Sequence, residues 1–253
     1  MSGTLKVRTE GAVRILVNSN PQARNALSPE LYEALPRALQ EAAADPAIGA
    51  IVLAGEGGFF SAGGDLRRLA RAHELAPEAR RANVEKLHGL IRAIRDCPKP
   101  VIAAVEGGAA GAGASLALAC DLLVASRDAF FSVAYVKVGL TPDGGVTAFL
   151  AQSMPRQLMT ELCLSGERIQ AERLHTLGVV NRLTAPWGAL DEALDLAGNI
   201  ARGPGRAMAR IKRLCASAYG ASVAEQLDLE AELMAVSQGD SEAIEGIAAF
   251  FRK

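Results

Sequence analysis

The fold of this chain is decided by two glycine-rich stretches, Phe59-Phe60-Ser61-Ala62-Gly63-Gly64-Asp65 and Val105-Glu106-Gly107-Gly108-Ala109-Ala110-Gly111-Ala112-Gly113. Each stretch follows an apolar segment that is typical of a buried strand, 48–54 and 101–105. Because glycine has no Cβ, loops of this composition leave their backbone N–H groups accessible. Two such loops can direct N–H groups at one carbonyl oxygen, as an oxyanion hole does. The pair therefore indicates carbonyl chemistry.

The segments around these loops alternate between strand and helix patterns. Residues 6–8 and 12–17 alternate like a β-hairpin, and Ser28-Pro29-Glu30 has the N-cap, N1 proline and first-turn acid of a helix that runs to about Ala44. From Pro186 onward the patterns are helical. We expect an α/β core of ββα units with a parallel sheet over residues 1–190, and a helical region over residues 191–253.

The bulk composition excludes several functional classes. The 253 residues carry a formal net charge of −1, which gives no electrostatic reason to expect nucleic acid or a membrane surface as partner. No apolar run approaches the length of about 20 residues that spans a bilayer, and the first residues lack the basic and apolar pattern of a signal peptide, so we expect none. We expect a cytoplasmic protein. The four cysteines are too far apart for a CxxC pair, so neither a metal site nor a disulfide framework is indicated.

The two loops resemble the FCAGAD-type and NGxAxGGG-type motifs of the enoyl-CoA hydratase/isomerase (crotonase) superfamily, and nearly the whole chain follows that family's order of segments. The resemblance implies the crotonase (ClpP-like) fold and an acyl-CoA thioester as substrate. Its carbonyl oxygen would be held by the N–H groups of Gly64 and Ala112. No separate cofactor is implied, since coenzyme A is part of the substrate. The C-terminal helices would pack against neighbouring subunits in a homotrimer or a dimer of trimers.

The catalytic positions depart from those of typical hydratases. Such hydratases carry two glutamates that activate and deliver water, and this chain has Ser115 and Tyr135 at those positions. Addition of water needs a base for the water and an acid for the carbon, so we expect weak hydratase activity, with Ser115 and Tyr135 shaping the substrate pocket.

A different carboxylate is available in Thr141-Pro142-Asp143-Gly144-Gly145. The chain is most similar to the phenylacetate-pathway ring-epoxide (1,2-epoxyphenylacetyl-CoA) isomerase type and to related enoyl-CoA isomerases, in which an aspartate at this position shuttles a proton. The resemblance thus implies an acyl-CoA isomerase with Asp143 as acid and base. Alternatively, Asp143 is the N-cap of the helix that follows, a common role for aspartate.

Three further functions stay open. Aryl-CoA dehalogenases of the superfamily pair an aspartate at the position of Asp143 with a histidine at that of His88, but they have tryptophan where this chain has Tyr135. A hydratase with atypical residues and a non-catalytic acyl-CoA-binding protein are the other two. A nicotinamide oxidoreductase is not indicated, because Leu116 occupies the third glycine position of a G-x-G-x-x-G motif.

The segment Arg24-Asn25-Ala26-Leu27 resembles the (K/R)-x-N-A-L segment with which the family lines the nucleotide and the pantetheine. Arg24 would then meet a phosphate, and Ala26 and Ala62 would line the CoA site. Arg67, Arg68 and Lys253 are further candidates, Lys253 acting across a subunit boundary.

Overall fold

The structure, a computed structural model, describes residues 3–252. Its strands are β1 Thr4–Glu10, β2 Val13–Ser19, β3 Ala50–Gly55, β4 Val101–Val105, β5 Gly108–Ala110, β6 Leu122–Ser126, β7 Phe130–Ser132, β8 Arg168–Gln170 and β9 Arg182–Thr184. Its helices are α1 Pro29–Ala44, α2 Leu66–Leu69, α3 Pro77–Asp96, α4 Ala112–Leu118, α5 Val146–Ser153, α6 Arg156–Ser165, α7 Ala171–Thr176, α8 Ala189–Ala201, α9 Gly205–Ser217, α10 Val223–Gln238 and α11 Ser241–Phe250.

The main sheet has six strands in the order β1-β2-β3-β4-β6-β9. The predicted hairpin is confirmed, since β1 pairs antiparallel with β2, and the remaining neighbours pair in parallel. Strand β4 is buried along its whole length, because helices cover both faces of the sheet. This α/β architecture agrees with the one that the alternating patterns predict.

Helix α1 begins where the sequence predicts. The side chain of Ser28 accepts a hydrogen bond of 3.3 Å from the backbone N–H of Leu31, and Pro29 is the first helical residue. The apolar face of α1, with Leu31, Leu35 and Leu39, belongs to the larger of the two core clusters. That cluster also contains the buried faces of α3 and α4, so α1, α3 and α4 are packed on the same core.

Helix α8 covers the opposite face of the sheet. Its Ala189, Ala193 and Ala197 are fully buried against alternate residues of β3, including Val52. Small side chains allow the helix to lie close to the strands. The expected boundary after residue 190 therefore falls inside α8, and the helices beyond α8 form the outer part of the C-terminal region.

Helices α9, α10 and α11 expose apolar side chains. Val223, Ile244 and Phe250 are 78%, 63% and 76% exposed. One ion pair ties these helices to the core: Nζ of Lys212 on α9 lies 2.7 Å from Oδ2 of Asp121, which precedes β6. Within residues 3–252, no helix has both the length and the hydropathy needed to cross a membrane.

Three strands are not predicted from the sequence patterns. Strands β5, β8 and β9 have three residues each, which is too short for an alternating pattern to show. They form because the fold brings distant partners to them: β5 pairs with β7, β7 with β8, and β9 with β6. As a result, the second glycine-rich stretch is partly a strand of a second, three-stranded sheet.

Candidate active site

The two glycine-rich stretches lie against each other. The backbone N–H of Ala110 donates to the carbonyl of Ser61 at 2.9 Å, and the N–H of Ser61 donates to Gly108 at 3.3 Å. Gly63 has φ of +86°, and a Cβ at that position would lie 2.4 Å from the carbonyl oxygen of Ala110. Both the backbone conformation and the close approach therefore require glycine at position 63.

The N–H groups of Gly64 and Ala112 are close neighbours. The nitrogen of Ala112 lies 2.9 Å from the Cβ position of Gly63, the residue bonded to Gly64. Ala112 is the first residue of α4, so its N–H has no acceptor within the helix. Among residues 3–252, neither N–H group donates to a backbone acceptor. Both donors are thus free for a ligand.

Asp143 is held beside the start of α4 by two hydroxyl groups. The Tyr135 hydroxyl donates to Oδ1 of Asp143 at 2.7 Å, and Oγ of Ser115 donates to the Asp143 carbonyl at 2.9 Å. The two hydroxyl oxygens lie 3.2 Å apart. Because Ser115 and Ala112 are three residues apart on α4, they share a helix face. Asp143 is therefore connected to the same helix that carries one of the two free N–H groups.

Asp143 does not cap the helix that follows it. Helix α5 has Gly145 as its N-cap residue, with no side-chain cap hydrogen bond. The carboxylate is directed instead to Tyr135. The N-cap alternative for Asp143 is therefore wrong, and its side chain is available for chemistry. Ser115 is fully buried, and its hydroxyl supports the backbone of Asp143.

The surroundings shift the ionisation of this cluster. Burial raises the pKa of Asp143, while the hydrogen bond from Tyr135 and the charge of His88 oppose that rise. Burial and the neighbouring Asp143 raise the pKa of Tyr135, so the phenol keeps its proton and donates. A carboxylate with a raised pKa is a stronger base than an ordinary aspartate.

His88 lies on α3, with a side chain that is 32% exposed. It is near enough to Asp143 for its charge to lower the pKa of that carboxyl. Its Nδ1, however, lies 3.5 Å from Oε1 of Glu85 on the same helix. The structure thus brings His88 into the neighbourhood of Asp143, but its resolved polar contact is with Glu85.

The segment expected to line the CoA site runs beside the first glycine loop. The carbonyl of Arg24 accepts a hydrogen bond of 2.8 Å from the N–H of Ala62, and the N–H of Leu27 donates to Gly63 at 2.8 Å. Ala26 is buried between these two contacts. The Arg24 guanidinium lies 5.8 Å from the centre of the Phe59 ring. Arg24, Ala26 and Ala62 are therefore close together, whereas Lys253 lies outside the described residues.

One residue near the site is missed by sequence reasoning. Tyr32 lies on α1, and burial together with the charge of Asp143 raises the pKa of its hydroxyl to about 12. The helical spacing places Tyr32 at the border of the apolar face formed by Leu31 and Leu35, which is the one signal in the sequence. Its proximity to Asp143 depends on the packing of α1.

Comparison with known proteins agrees with this geometry. The model of the family described as enoyl-CoA hydratase/isomerase matches residues 8–253. Two relatives from Escherichia coli K12 are a 1,2-epoxyphenylacetyl-CoA isomerase, 34% identical over 96% of this chain and 94% of its own length, and a 2,3-dehydroadipyl-CoA hydratase, 33% identical over 98% and 96%.

A solved structure has the same architecture. The crystal structure of an enoyl-CoA hydratase from Polaromonas sp. JS666 superposes with a TM-score of 0.96 at 48% identity, covering 98% of this chain and 97% of that one. The chain therefore belongs to the enoyl-CoA hydratase/isomerase family and has the crotonase fold.

Proposed function

We propose that this chain is an acyl-CoA isomerase in which Asp143 moves a proton between carbons of the acyl group. The family acts on CoA thioesters. The observation that carries the finer proposal is the carboxylate of Asp143, which is partly buried and accepts a hydrogen bond from Tyr135, which lies at a position where typical hydratases have a glutamate. Hydration needs separate groups for the water and for the carbon, whereas isomerisation needs one carboxyl group that takes a proton and returns it.

In the proposed reaction, the ionised carboxylate of Asp143 removes a proton from C2 of a 3-enoyl thioester. The C2–H electron pair and the double bond form a dienolate, whose negative charge develops on the thioester oxygen. The protonated Asp143 then delivers the same proton to C4, which gives the 2-enoyl thioester. No atom is gained or lost, and the carboxylate is regenerated.

The N–H groups of Gly64 and Ala112 would bind the oxygen of that dienolate. They are neighbouring donors with no backbone acceptor in the described chain. Removal of one oxyanion-hole donor costs about 2.7 to 4 kcal/mol in characterised enzymes. A pair of such donors stabilises the dienolate more than the neutral thioester, because the charge develops on the oxygen during the reaction.

The protonation states of Tyr135 and Asp143 suit the proposed proton transfer. Tyr135 retains its proton because its pKa is raised, so it stabilises the ionised form of Asp143 and does not compete as a base. Burial raises the pKa of Asp143, which makes the carboxylate a better base in the first step and stabilises the protonated form that returns the proton in the second.

The acyl group of the natural substrate is inferred from the names of relatives. The relative named as an epoxyphenylacetyl-CoA isomerase supports a ring-derived thioester, and relatives named as hydratases support hydration as the competing activity.

We propose a homotrimer or a dimer of trimers, supported by the exposed apolar side chains of α10 and α11. We also propose that no cofactor beyond the CoA of the substrate takes part.

A screen of thioesters tests the proposed reaction. The purified chain is incubated with 3-enoyl, 2-enoyl, 2,5-dienoyl, ring-epoxide and aryl CoA thioesters, and products are followed by mass spectrometry and ultraviolet absorbance. We expect products of unchanged mass from the 3-enoyl or ring-epoxide substrates. Fast addition of water to crotonyl-CoA, on the order of 10 per second, would identify a hydratase instead. Release of halide would identify a dehalogenase, and binding without turnover would identify a non-catalytic protein.

A further inference from the structure

A cleft lies beside the candidate active site, between α1 and α3. It has a volume of about 330 Å³, within the range of about 300 to 1,000 Å³ that is typical of small-molecule sites. Leu90 on α3 lines this cleft, and Leu87 on the same helix lies 3.1 Å from the position that a Cβ would take at Gly144, the residue after Asp143. Tyr32 lines the cleft from α1, and the charge of Asp143 contributes to the raised pKa of its hydroxyl. The cleft is therefore placed to receive the part of an acyl chain that extends beyond the reacting carbons.

The walls of the cleft are apolar along the helices. Pro29 and Pro36 on α1 and Leu90 on α3 contribute to its lining. Such a surface suits the methylene groups of an acyl chain, each of which gains about 0.8 kcal/mol when buried. Apolar walls alone would favour a chain that ends in a methyl group.

The polar groups of the cleft change that expectation. Arg68 and Lys86 line it, and neither forms an ion pair within residues 3–252. The lining includes one acid, Glu33, so the cations exceed the anions by one.

Tyr32 adds a donor to the two cations. Its hydroxyl has no hydrogen-bond partner in the described part of the chain, and its proton is retained at neutral pH. An arginine, a lysine and a tyrosine hydroxyl together form a set that recognises a carboxylate.

We infer that this cleft binds the far end of an acyl chain that carries a terminal carboxylate, so that the preferred substrates are mono-CoA thioesters of dicarboxylic acids. The inference rests on the proposed binding of an acyl thioester at Gly64 and Ala112. Arg68 then has a role at the acyl end, in contrast to the contact with CoA that the sequence suggests for it. Charge-assisted hydrogen bonds of this kind contribute about 1.5 to 3 kcal/mol, which corresponds to about tenfold or more in affinity.

Calorimetric titration with unreactive thioesters tests the inference apart from catalysis. The probes are saturated pairs of equal length, adipyl-CoA with hexanoyl-CoA and suberyl-CoA with octanoyl-CoA. We expect the dicarboxylic ester to bind about tenfold or more tightly in at least one pair. Equal affinity in both pairs, tighter binding of the methyl-ended esters, or no binding of any ester would overturn the inference.

Substitutions in the cleft test which side chains cause the preference for dicarboxylic esters. Arg68→Met and Lys86→Met should each reduce the affinity ratio within a pair, and Tyr32→Phe should reduce it by a smaller factor. Arg37→Met is the matched control, since it removes the same charge from the exposed side of α1, where Arg37 lies 3.8 Å from Glu41. If Arg68→Met weakens both esters of a pair equally, Arg68 contacts CoA and the inference fails.

The two proposals fail in different ways. A preference for dicarboxylic esters with no isomerisation of their unsaturated forms would refute the proposed reaction and leave the acyl-end inference intact. Isomerisation of methyl-ended and carboxylate-ended enoyl-CoA at equal kcat/KM, with equal binding, would refute the acyl-end inference and leave the reaction intact.

Discussion

The Tyr135 hydroxyl donates a hydrogen bond of 2.7 Å to Oδ1 of Asp143, and this contact joins the candidate base to one of the two residues that stand where typical hydratases have a glutamate. The bond favours the ionised carboxylate and so opposes the rise in pKa that burial causes. Tyr135 thus limits the basicity that burial gives to Asp143.

Tyr135→Phe tests this relationship. Loss of the hydrogen bond should raise the pKa of Asp143 further, because the ionised form loses its donor. In the proposed reaction Asp143 acts first as a base, so kcat/KM should fall as the pH drops through its pKa. The acid limb of the profile should therefore move to higher pH in the variant. Tyr219→Phe, an exposed tyrosine, is the control. An unchanged acid limb in Tyr135→Phe would show that the hydrogen bond does not govern the base.

Ala112→Pro tests the oxyanion donors. Proline lacks an N–H but is tolerated at the first position of a helix, which Ala112 occupies in α4. We expect kcat to fall about 100- to 1,000-fold, the effect of removing one donor. Ala112→Gly keeps the N–H and should stay within a few-fold of wild type. Thermal unfolding checks that both variants fold, and equal kcat in the two folded variants would exclude Ala112 as a donor.

The exposed apolar side chains of the C-terminal helices predict an oligomer. Sedimentation velocity should give three or six copies of the chain at micromolar concentration. Ile244 and Ile247 share a face of α11 and are 63% and 59% exposed, so Ile244→Asp combined with Ile247→Asp should shift the protein towards monomer. Val7→Asp, an exposed apolar position on β1, is the control. A wild-type monomer would refute the oligomer.

Much of the fold can be predicted from local patterns. The strands β3 and β4 are continuous apolar segments, and α1 has an N-cap serine followed by proline, so each is specified by its own residues. The second sheet cannot be predicted in this way. Gly108–Ala110 becomes a strand because Phe130–Ser132 lies beside it, which is a tertiary interaction.

The residues of the candidate site also differ in whether the local sequence reveals them. The glycine loops and Asp143 stand out in the sequence because they match family motifs. Tyr32 does not stand out, because it lies on an ordinary amphipathic helix. Its electrostatic interaction with Asp143 depends on how α1 packs. The choice between catalytic base and helix cap for Asp143 also depends on side-chain direction, which local sequence does not specify.

Asp143→Asn should leave the fold intact. Because the pKa of Asp143 is raised in the folded state, its contribution to stability is present at low pH and is lost as the pH rises through that pKa. At neutral pH the wild type therefore carries the cost of a partly buried carboxylate, and asparagine removes the charge while it keeps an acceptor for Tyr135. We expect a melting temperature equal to or above that of wild type.

The decisive measurement for Asp143 as the proton carrier is the rate of isomerisation by the Asp143→Asn protein. Its affinity for the same enoyl-CoA is measured beside that rate. General acid and base groups contribute about 100- to 10,000-fold, and a sole proton carrier should lie at the upper end. We expect the rate of isomerisation to fall about 10,000-fold, with the affinity for acyl-CoA nearly unchanged. Isomerisation within a few-fold of wild type by the folded variant would contradict it.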